Sequence, residues 1–421
     1  MHISIFVYGT WGDIRPHVVL GMALQAAGHS VQVIASPVYE AWVRERNLGF
    51  YPLTADVNVF TKEHASIMDA GALQQLQLAR QQLTPIFIQM GREVLEATRE
   101  SDVLMTVEFG LSLLFDVVRV NKLKVILINP APLNPTREFS SAFPPAPAWF
   151  PFPAWYNRFS YSMLERIQWS LLSAARNELA SKHLGQPQSP LRQFRAMLAL
   201  TPALTTVSKH VLRRPADWDE HWQITGYLFD DDPEWQPPPD LVTFLESGES
   251  PVYIGFGSMP DSKPEVTTRV LIEAVQRTGK RAVILTGWAG FGGEQMPENI
   301  HLLKYAPHHW LFPKMAAVVH HGGAGTTASS FRAGVPTVIV PHNADQPYWG
   351  RRAHELGVGT LPIPRKKLTA DRLTAAITEA TSSQTMREKA AELSQKIAAE
   401  DGLGEALRVT TAILSNKTPI Y

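Results

Sequence analysis

An acidic, proline-rich segment divides this chain of 421 residues into two stretches that repeat the same pattern. It covers residues 230–239 with the sequence DDDPEWQPPP, and a run of this kind can neither pair into a sheet nor continue a helix. On each side of it, short apolar runs alternate with longer amphipathic stretches. This alternation predicts an α/β protein, because parallel strands covered by helices on both faces have continuous apolar sequences.

The apolar runs place the strands of two Rossmann-like domains that would face each other across a cleft at their carboxyl strand ends. The expected boundaries are 1–230 for the first domain, 231–240 for the linker, 241–400 for the second domain, and 401–421 for a C-terminal helix and tail that could pack back on the first domain. We expect a loop over Gly9–Pro16, followed by a helix that ends at Gly28. The predicted strands are His2–Tyr8, Val31–Ala35, Val103–Val107, Val125–Ile128, Val252–Phe256, Ala282–Thr286, Ile300–Lys304, Ala317–His320 and Thr337–Val340.

Composition excludes several classes of function. Lys and Arg together number 39, as do Asp and Glu, so the chain lacks the broad cationic field of a nucleic-acid-binding protein. It has no cysteine, which excludes disulfides, thiolate metal sites and a cysteine nucleophile, and favours a cytoplasmic location. The N-terminus has no basic leader, and no apolar run reaches the roughly 18–20 residues of a membrane span, so any membrane contact would be peripheral.

The most informative segment is a glycine-rich turn after a buried strand, HHGGAGTT over 320–327. Glycine removes the side chains that would block a phosphate, and the helix that follows offers bare amides to an anion. A histidine can donate to a phosphate oxygen, and a threonine can either cap the helix or bind the phosphate. We therefore predict a diphosphate site made by His321, Gly323, Gly325 and Thr326, with Ser258 of an earlier strand-end loop.

Two other interpretations of this turn stay open. It can be a strand-to-helix turn that merely packs tightly. It also matches the dinucleotide fingerprint G-x-G-x-x-A over 323–328, with Asp345 downstream at a suitable distance.

Further residues follow neighbouring strands of the second domain. Asp345 and Gln346 combine a carboxylate acceptor with an amide, a pair that suits adjacent sugar hydroxyls, although Asp-Gln-Pro can equally cap the next helix. Trp288, Tyr305 and Ala306 lie in loops that could hold a nucleobase, or in the core.

Asp13 and His17 follow the first strand, and each is a candidate for the base that a transfer to a hydroxyl requires. The alternative for Asp13 is a helix N-cap, and for His17 a partly exposed histidine in the first turn. The stretch Pro130–Trp155 is rich in proline and aromatic residues. It could line an apolar acceptor pocket with Trp149, Phe152 and Trp155, rest on a membrane surface, or pack as a rigid loop.

Four segments together resemble family 1 glycosyltransferases of the two-domain glycosyltransferase-B fold, in particular the bacterial antibiotic enzymes of the vancomycin type and the sterol glucosyltransferases. The resemblance covers nearly the whole chain. The segments are GTWGDIRP at 9–16, HHGGAGTT at 320–327, RAGVP at 332–336 and DQPY at 345–348.

The resemblance implies inverting, metal-independent transfer of a hexose to a hydroxyl of a lipophilic small molecule. UDP-glucose would be the donor by default and a dTDP-sugar the next choice, with no other cofactor. The second domain would bind the donor through His321, and through Asp345 and Gln346 at the sugar. Asp13 would be the base, where many plant and macrolide relatives carry a histidine. Tyr305 falls where plant enzymes place a stacking tryptophan.

Three other functions stay open at the level of sequence. A nucleotide-sugar epimerase of the same fold would need no acceptor. A protein that only binds a sugar nucleotide would need no base, and the joint presence of Asp13, His321, Asp345 and Gln346 argues against it. A nicotinamide dehydrogenase would explain the G-x-G-x-x-A match.

Overall fold

The computed structural model describes residues 1–54, 72–141, 153–231, 234–257, 259, 261, 263–286 and 296–415. These residues form two compact units. The first unit contains the chain up to Asp230 and again from Asp401 onward, and the second unit is the segment Asp231–Glu400. Among the described residues, the second unit is therefore one stretch of the chain, whereas the first is built from two separate stretches.

The first unit is built on one parallel sheet of seven strands in the order β3-β2-β1-β4-β5-β6-β7. The apolar runs form strands because β-branched and other apolar side chains fill both faces of the sheet. The strands are β1 His2–Phe6, β2 Ser30–Ala35, β3 Gly49–Pro52, β4 Val103–Thr106, β5 Lys124–Asn129, β6 Ala203–Thr205 and β7 Trp222–Ile224.

Helices cover both faces of this sheet. One face packs against α1 and the C-terminal helix α15, which contributes Ala406, Val409 and Leu414 to the same core. The other face packs against α3 and α4, with Phe87 and Leu114 in its core. The helices are α1 Trp11–Ala26, α2 Glu40–Arg44, α3 Ala72–Ala97, α4 Glu108–Val120, α5 Ala154–Leu171, α6 Ser173–Glu178, α7 Leu191–Leu200 and α15 Gly402–Ser415.

The second unit repeats the architecture with a smaller parallel sheet, in the order β10-β9-β8-β11-β12. Its strands are β8 Val252–Gly255, β9 Ala282–Leu285, β10 Ile300–Leu303, β11 Ala317–His320 and β12 Thr337–Ile339. Its helices are α8 Pro239–Glu246, α9 Pro264–Thr278, α10 His308–Leu311, α11 Ala324–Ala333, α12 Gln346–Glu355, α13 Ala370–Ser382 and α14 Gln384–Ala398.

The prediction of an α/β protein with two parallel-sheet domains is confirmed, and each strand predicted from an apolar run is present to within two residues at either end. The expected loop over Gly9–Pro16 is wrong, because α1 already begins at Trp11 and carries Pro16 inside it. Proline at this sixth position removes one backbone hydrogen bond of the second turn, and the helix continues past it to Ala26. The predicted linker also ends early, since α8 begins at Pro239, and proline suits the first position of a helix.

Each sheet reverses its winding direction between two neighbouring strands, β1 and β4 in the first unit and β8 and β11 in the second. In open parallel sheets, ligands bind beyond the carboxyl ends of the strands at this position. The functional residues are therefore sought in the loops that follow these four strands. No helix in the described part of the chain is both long enough and apolar enough to cross a bilayer.

Candidate functional site

The loop after β1 ends in a capping box that starts α1. Thr10 is the N-cap residue, and Asp13 is the third residue of the helix. The Asp13 carboxylate accepts hydrogen bonds from the Thr10 amide at 2.7 Å and from the Thr10 hydroxyl at 3.2 Å, both at Oδ2. This pairing satisfies backbone donors at the start of a helix and explains why the helix begins before Pro16.

Gly9 lets the carboxylate of Asp13 lie directly against the backbone. Its φ is +122°, a conformation that strains other residues, and a Cβ atom on Gly9 would overlap Asp13 Oδ2. The Gly9 carbonyl accepts a hydrogen bond from the Tyr39 hydroxyl at 2.9 Å. The position of Asp13 is therefore fixed by the turn as well as by the helix.

The environment of Asp13 suits proton uptake. Its side chain is half-buried, and burial raises its pKa against the opposing effect of the two Thr10 hydrogen bonds. Within the described residues, Oδ1 makes no hydrogen bond. One carboxylate oxygen is thus anchored, and the other can accept a proton from a ligand hydroxyl.

His17 is buried rather than partly exposed, and it lies in the second turn of α1. Its Nδ1–H donates to the Asp13 carbonyl at 2.7 Å, so Nε2 is the unprotonated nitrogen of the neutral ring. Nε2 is buried and has no hydrogen-bond partner among the described residues. Burial lowers the pKa of His17 to about 4, so the ring is neutral at pH 7. In this conformation His17 lies beneath the surface and holds the Asp13 backbone through this hydrogen bond.

In the second unit, the first histidine of the turn after β11 has a structural role. His320 is fully buried, and its Nδ1 accepts from the Gly322 amide at 3.0 Å. Its Nε2–H therefore donates to the Thr337 hydroxyl at 2.9 Å, and that hydroxyl donates to the Val318 carbonyl at 3.2 Å. Both ring nitrogens are satisfied, and His320 ties the turn to β12.

The second histidine, His321, lies in a narrow slot between two glycines. A Cβ atom on Gly257 would lie 3.0 Å from His321 Cε1, and one on Gly323 would lie 2.5 Å from His321 Nε2. Nδ1 is buried without a hydrogen-bond partner in the described chain. Burial, followed by the nearby His342, lowers the pKa of His321 to about 3. The ring is therefore neutral at pH 7 and can donate one N–H to a ligand.

The helix after this turn begins without a side-chain cap. Gly323 is the N-cap residue of α11, and the first amide bonded back to the turn is that of Thr327, which donates to the Gly323 carbonyl at 2.9 Å. The amides of Ala324, Gly325 and Thr326 make no hydrogen bond within the described residues. Uncapped first-turn amides beside a neutral imidazole form an anion-binding arrangement. Thr326 lies in the first turn and does not cap the helix.

The two predicted sugar contacts in the loop after β12, Asp345 and Gln346, have different environments. Asp345 is half-buried, makes no side-chain capping bond to α12, and accepts a hydrogen bond from the Trp349 indole at 2.7 Å. Gln346 is buried, and its Oε1 accepts from the amides of His342 at 2.8 Å and Asn343 at 3.1 Å. Gln346 therefore holds the loop together, while Asp345 lies nearer the surface.

The other predicted contact residues differ in how exposed they are. Tyr305 is 48% exposed at the end of β10, whereas the neighbouring Ala306 is buried. Trp155 is 70% exposed at the start of α5. The predicted residues Ser258, Trp288, Trp149 and Phe152 lie outside the described residues.

Several residues that the sequence did not single out belong to these sites. Gly257 shapes the His321 slot, and His342 lies close enough to His321 to affect its pKa. In the first unit, burial and then the charge of Asp13 raise the pKa of Tyr8. The sequence signal of Gly257 and His342 was a position shortly after a strand, which many residues without a function share, and Tyr8 fell inside a predicted strand.

Comparison of sequences relates the chain to known proteins. Residues 269–410 match the family model of the erythromycin biosynthesis protein CIII-like C-terminal domain. A sterol 3-beta-glucosyltransferase of Arabidopsis thaliana is 33% identical over 97% of this chain and 65% of its own length. A second one from the same plant is 30% identical over 97% of this chain and 67% of its own length. A sterol 3-beta-glucosyltransferase of Neosartorya fischeri is 30% identical, and the match spans 29% of its length. The chain thus spans about two thirds of the plant relatives and under a third of the fungal one.

Comparison of structures gives the same fold. The calicheamicin glycosyltransferase superposes with a TM-score of 0.69 at 17% identity, covering 99% of each chain. The glycosyltransferase of kitacinnamycin superposes with a TM-score of 0.67 at 20% identity, covering 98% of this chain and 97% of that one.

Proposed function

Because this chain belongs to family 1 of the glycosyltransferases, we propose that it transfers a hexose from a nucleotide-diphosphate sugar to a hydroxyl of a lipophilic small molecule. UDP-glucose is the proposed donor, and a sterol, polyketide or similar natural product is the proposed acceptor. The names of the plant and fungal relatives, which are sterol 3-beta-glucosyltransferases, support this acceptor class.

The observation that carries the proposal is the turn after β11. Three first-turn amides of α11 and the neutral imidazole of His321 are held together by Gly257 and Gly323. When the sugar departs, negative charge grows on the β-phosphate, and fixed donors aimed at this charge stabilise the transition state. We propose that these donors take the part that a metal ion takes in other sugar transferases, and that no cofactor besides the donor is required.

Asp13 is the proposed base. Its Oδ1 would take the proton of the acceptor hydroxyl while that oxygen attacks the anomeric carbon. The bond from the anomeric carbon to the diphosphate breaks on the opposite face, so the configuration inverts. The raised pKa of Asp13 strengthens it as a base, and the anchoring of Oδ2 by Thr10 keeps the other oxygen in a fixed direction.

The other proposed contacts with the nucleotide sugar are assigned from the exposure of the side chains. Asp345 is proposed to accept hydrogen bonds from sugar hydroxyls, and the exposed ring of Tyr305 to contact the nucleobase. Gln346 would act by holding the loop in shape, unless its amide turns outward when the donor binds.

The test is a thermal-shift series with UDP-glucose, a dTDP-sugar and NAD, followed by incubation of the preferred nucleotide sugar with a mixture of lipophilic acceptors. We expect stabilisation by the nucleotide sugar, an acceptor product heavier by one hexose, and an inverted anomeric configuration by NMR. Conversion of the donor without acceptor would indicate an epimerase instead. Stabilisation by NAD alone would indicate a dehydrogenase, and donor binding without any turnover a binding protein.

A further inference from the structure

Four polar side chains are buried together at the carboxyl edge of the first unit's sheet. Thr106, Asn129 and Thr205 end the neighbouring strands β4, β5 and β6, and each is fully buried. The strand registers pair Thr106 with Leu127 and Asn129 with Thr205, which places the three polar side chains on the same face of the sheet. Glu108 begins α4 beside them, is 3% exposed, and donates its amide to Asn129 Oδ1 at 3.4 Å. We call these four residues the polar cluster.

Each member of the polar cluster has a polar side-chain atom without a hydrogen-bond partner within the described residues. The atoms are Thr106 Oγ1, Glu108 Oε2, Asn129 Nδ2 and Thr205 Oγ1. Leaving one buried donor or acceptor unsatisfied costs roughly 1–3 kcal/mol, so folded proteins rarely leave several together. The polar cluster therefore has four side-chain atoms left to bond with a partner outside the described residues.

The chemistry of the polar cluster selects a neutral group. Burial, and then the charge of Glu165, raise the pKa of Glu108 to about 8, so its carboxyl is protonated at pH 7 and can donate. The cluster contains two hydroxyls, an amide and a carboxylic acid, but no cation to pair with an anion. A hydroxyl or a carbonyl can bond to these groups without bringing a charge, whereas the charge of a phosphate would be buried here without a cation to pair with it.

A series of neighbouring residues connects the polar cluster to Asp13 within the first unit. Strands β1 and β4, which precede Asp13 and Glu108, are neighbours in the sheet. Tyr8 lies close enough to Asp13 for its pKa to respond to that charge. The Tyr8 ring is 5.4 Å from the ring of Phe109, the residue next to Glu108, and both rings are half-buried.

We propose that the polar cluster binds a neutral hydroxyl or carbonyl at the end of the acceptor opposite to the hydroxyl that reacts at Asp13. The body of the acceptor lies across Tyr8 and Phe109. This inference rests on the proposed function, and it makes Glu108 a binding residue that selects acceptors carrying a polar group at each end.

The test compares two steroid acceptors that differ in one atom. Androstenediol carries a hydroxyl at each end of its ring system, and its monohydroxy counterpart lacks the distal hydroxyl. With UDP-glucose as donor, we expect the KM for androstenediol to be about tenfold lower and kcat to be similar, because one additional hydrogen bond to a buried site forms in both the ground and transition states.

Variants of the polar cluster test whether the preference for androstenediol depends on these residues. Glu108→Leu should abolish it, and Glu108→Gln should keep most of it, because an amide both donates and accepts. Thr205→Val changes shape very little and should reduce the preference by about threefold, which tests the cluster even where Glu108→Leu folds poorly. Glu93→Leu is the matched control, since Glu93 is another buried carboxyl of this unit but is bonded to Thr54 and Gln89. It should leave the preference intact.

Equal KM values for the two steroids in the wild type, or a preference that survives both Glu108→Leu and Thr205→Val, would overturn the inference and leave ordered water as the occupant of the polar cluster. A different failure would be an enzyme that binds UDP-glucose but transfers glucose to neither steroid. That result would contradict the proposed acceptor class itself, and with it the inference that rests on it.

Discussion

The two units share a winding order and differ in the chemistry of equivalent turns. In each, the first five strands lie in the order third, second, first, fourth, fifth. The fourth strand is β4 in the first unit and β11 in the second, and each leads directly into a helix. After β11 the turn contains two glycines, uncapped amides and the neutral His321. After β4 the same position holds the buried carboxyl of Glu108.

This difference shows that the backbone supplies the position of a site and a few side chains decide its ligand. Bare amides at a helix N-terminus attract an anion in any parallel sheet of this kind. In the first unit, the buried carboxyl of Glu108 occupies the equivalent place in the first turn of the helix. It makes the same backbone geometry unfavourable for a phosphate. Under the two proposals made above, the second unit binds a diphosphate and the first binds neutral hydroxyls.

The largest effect should come from removing Asp13, the proposed base, in the first unit. Asp13→Asn should lower kcat by about 10²–10⁴, because a positioned general base contributes that much and an amide cannot take the proton. The fold should persist, since the amide oxygen can still accept from Thr10. Steady-state kinetics with a circular dichroism melt checks both expectations.

Asp102→Asn is the control for Asp13→Asn, because this carboxylate accepts a backbone hydrogen bond from His2 at the amino end of the same sheet. It should turn over normally. Wild-type kcat in Asp13→Asn would remove Asp13 from the mechanism and leave the first unit with His17 as its candidate base.

The next effect concerns the second unit. His321→Ala should lower kcat by about 10²–10³, the usual cost of removing one donor from a site that stabilises developing negative charge. His354→Ala, on an exposed surface of α12, is the matched control and should behave as the wild type. Full activity in His321→Ala would mean that the amides of α11 are enough to stabilise the developing charge. The proposed difference between the two units would then depend on the backbone of the turn alone.

A change of pH should affect the stability of the two units differently. Buried His320 and partly buried His321 and His342 are neutral when folded, with lowered pKa values that reach about 3 for His321 and about 4 for His342. Once unfolded they bind protons below pH 6.5, so the stability of the second unit should fall as the pH drops from 7 to 5. The slope is at most about 1.4 kcal/mol per pH unit for each histidine.

The first unit should respond less to acid. His17, with its pKa lowered to about 4, acts in the same direction, but Glu108 holds a proton in the folded state and acts in the opposite one. Hydrogen exchange at pH 7 and pH 5 in β11 and β4 measures the two responses. Equal loss of protection in both strands would contradict the assignment of the acid-sensitive groups to the second unit.

A final prediction concerns a pH-dependent gain in stability from Glu108→Gln. The wild-type carboxyl stays protonated when folded up to its raised pKa of about 8, whereas it ionises above pH 4.5 when unfolded. Wild-type stability therefore declines between pH 4.5 and pH 8, and the variant lacks this decline. The Tm of the variant minus that of the wild type should rise across this interval. Glu388→Gln, on the exposed surface of α14, should show no such trend. A flat difference for Glu108→Gln would mean that Glu108 ionises in the folded protein.

Strands β3, β6 and β7 were missed, whereas the nine strands that were predicted have a local signal. Each is a run of apolar residues ended by a polar residue or a glycine, and β11 matches the prediction residue for residue. The start of α1 was missed because Pro16 was given more weight than the capping box that Thr10 and Asp13 form six and three residues earlier.

The roles of individual site residues depended on contacts that no local pattern reports. His320 and His321 are adjacent and chemically identical, yet Thr337 on another strand satisfies one and two glycines enclose the other. Gln346 turns inward because two backbone amides lie within reach of its side chain. The polar cluster likewise exists only because strand register places Asn129 and Thr205 side by side.

The return of α15 to the first unit has a consequence for how the chain is made. Gly402 packs directly on the backbone of Tyr227, and Ala406, Val409 and Leu414 complete the core beneath α1. The second unit is therefore an uninterrupted insertion, which can fold as soon as it leaves the ribosome. The first unit begins earlier and finishes last, since its hydrophobic layer stays open until the final helix has been synthesised. A ribosome that stalls just after Glu400 would release a complete second unit joined to a first unit with one side of its core exposed.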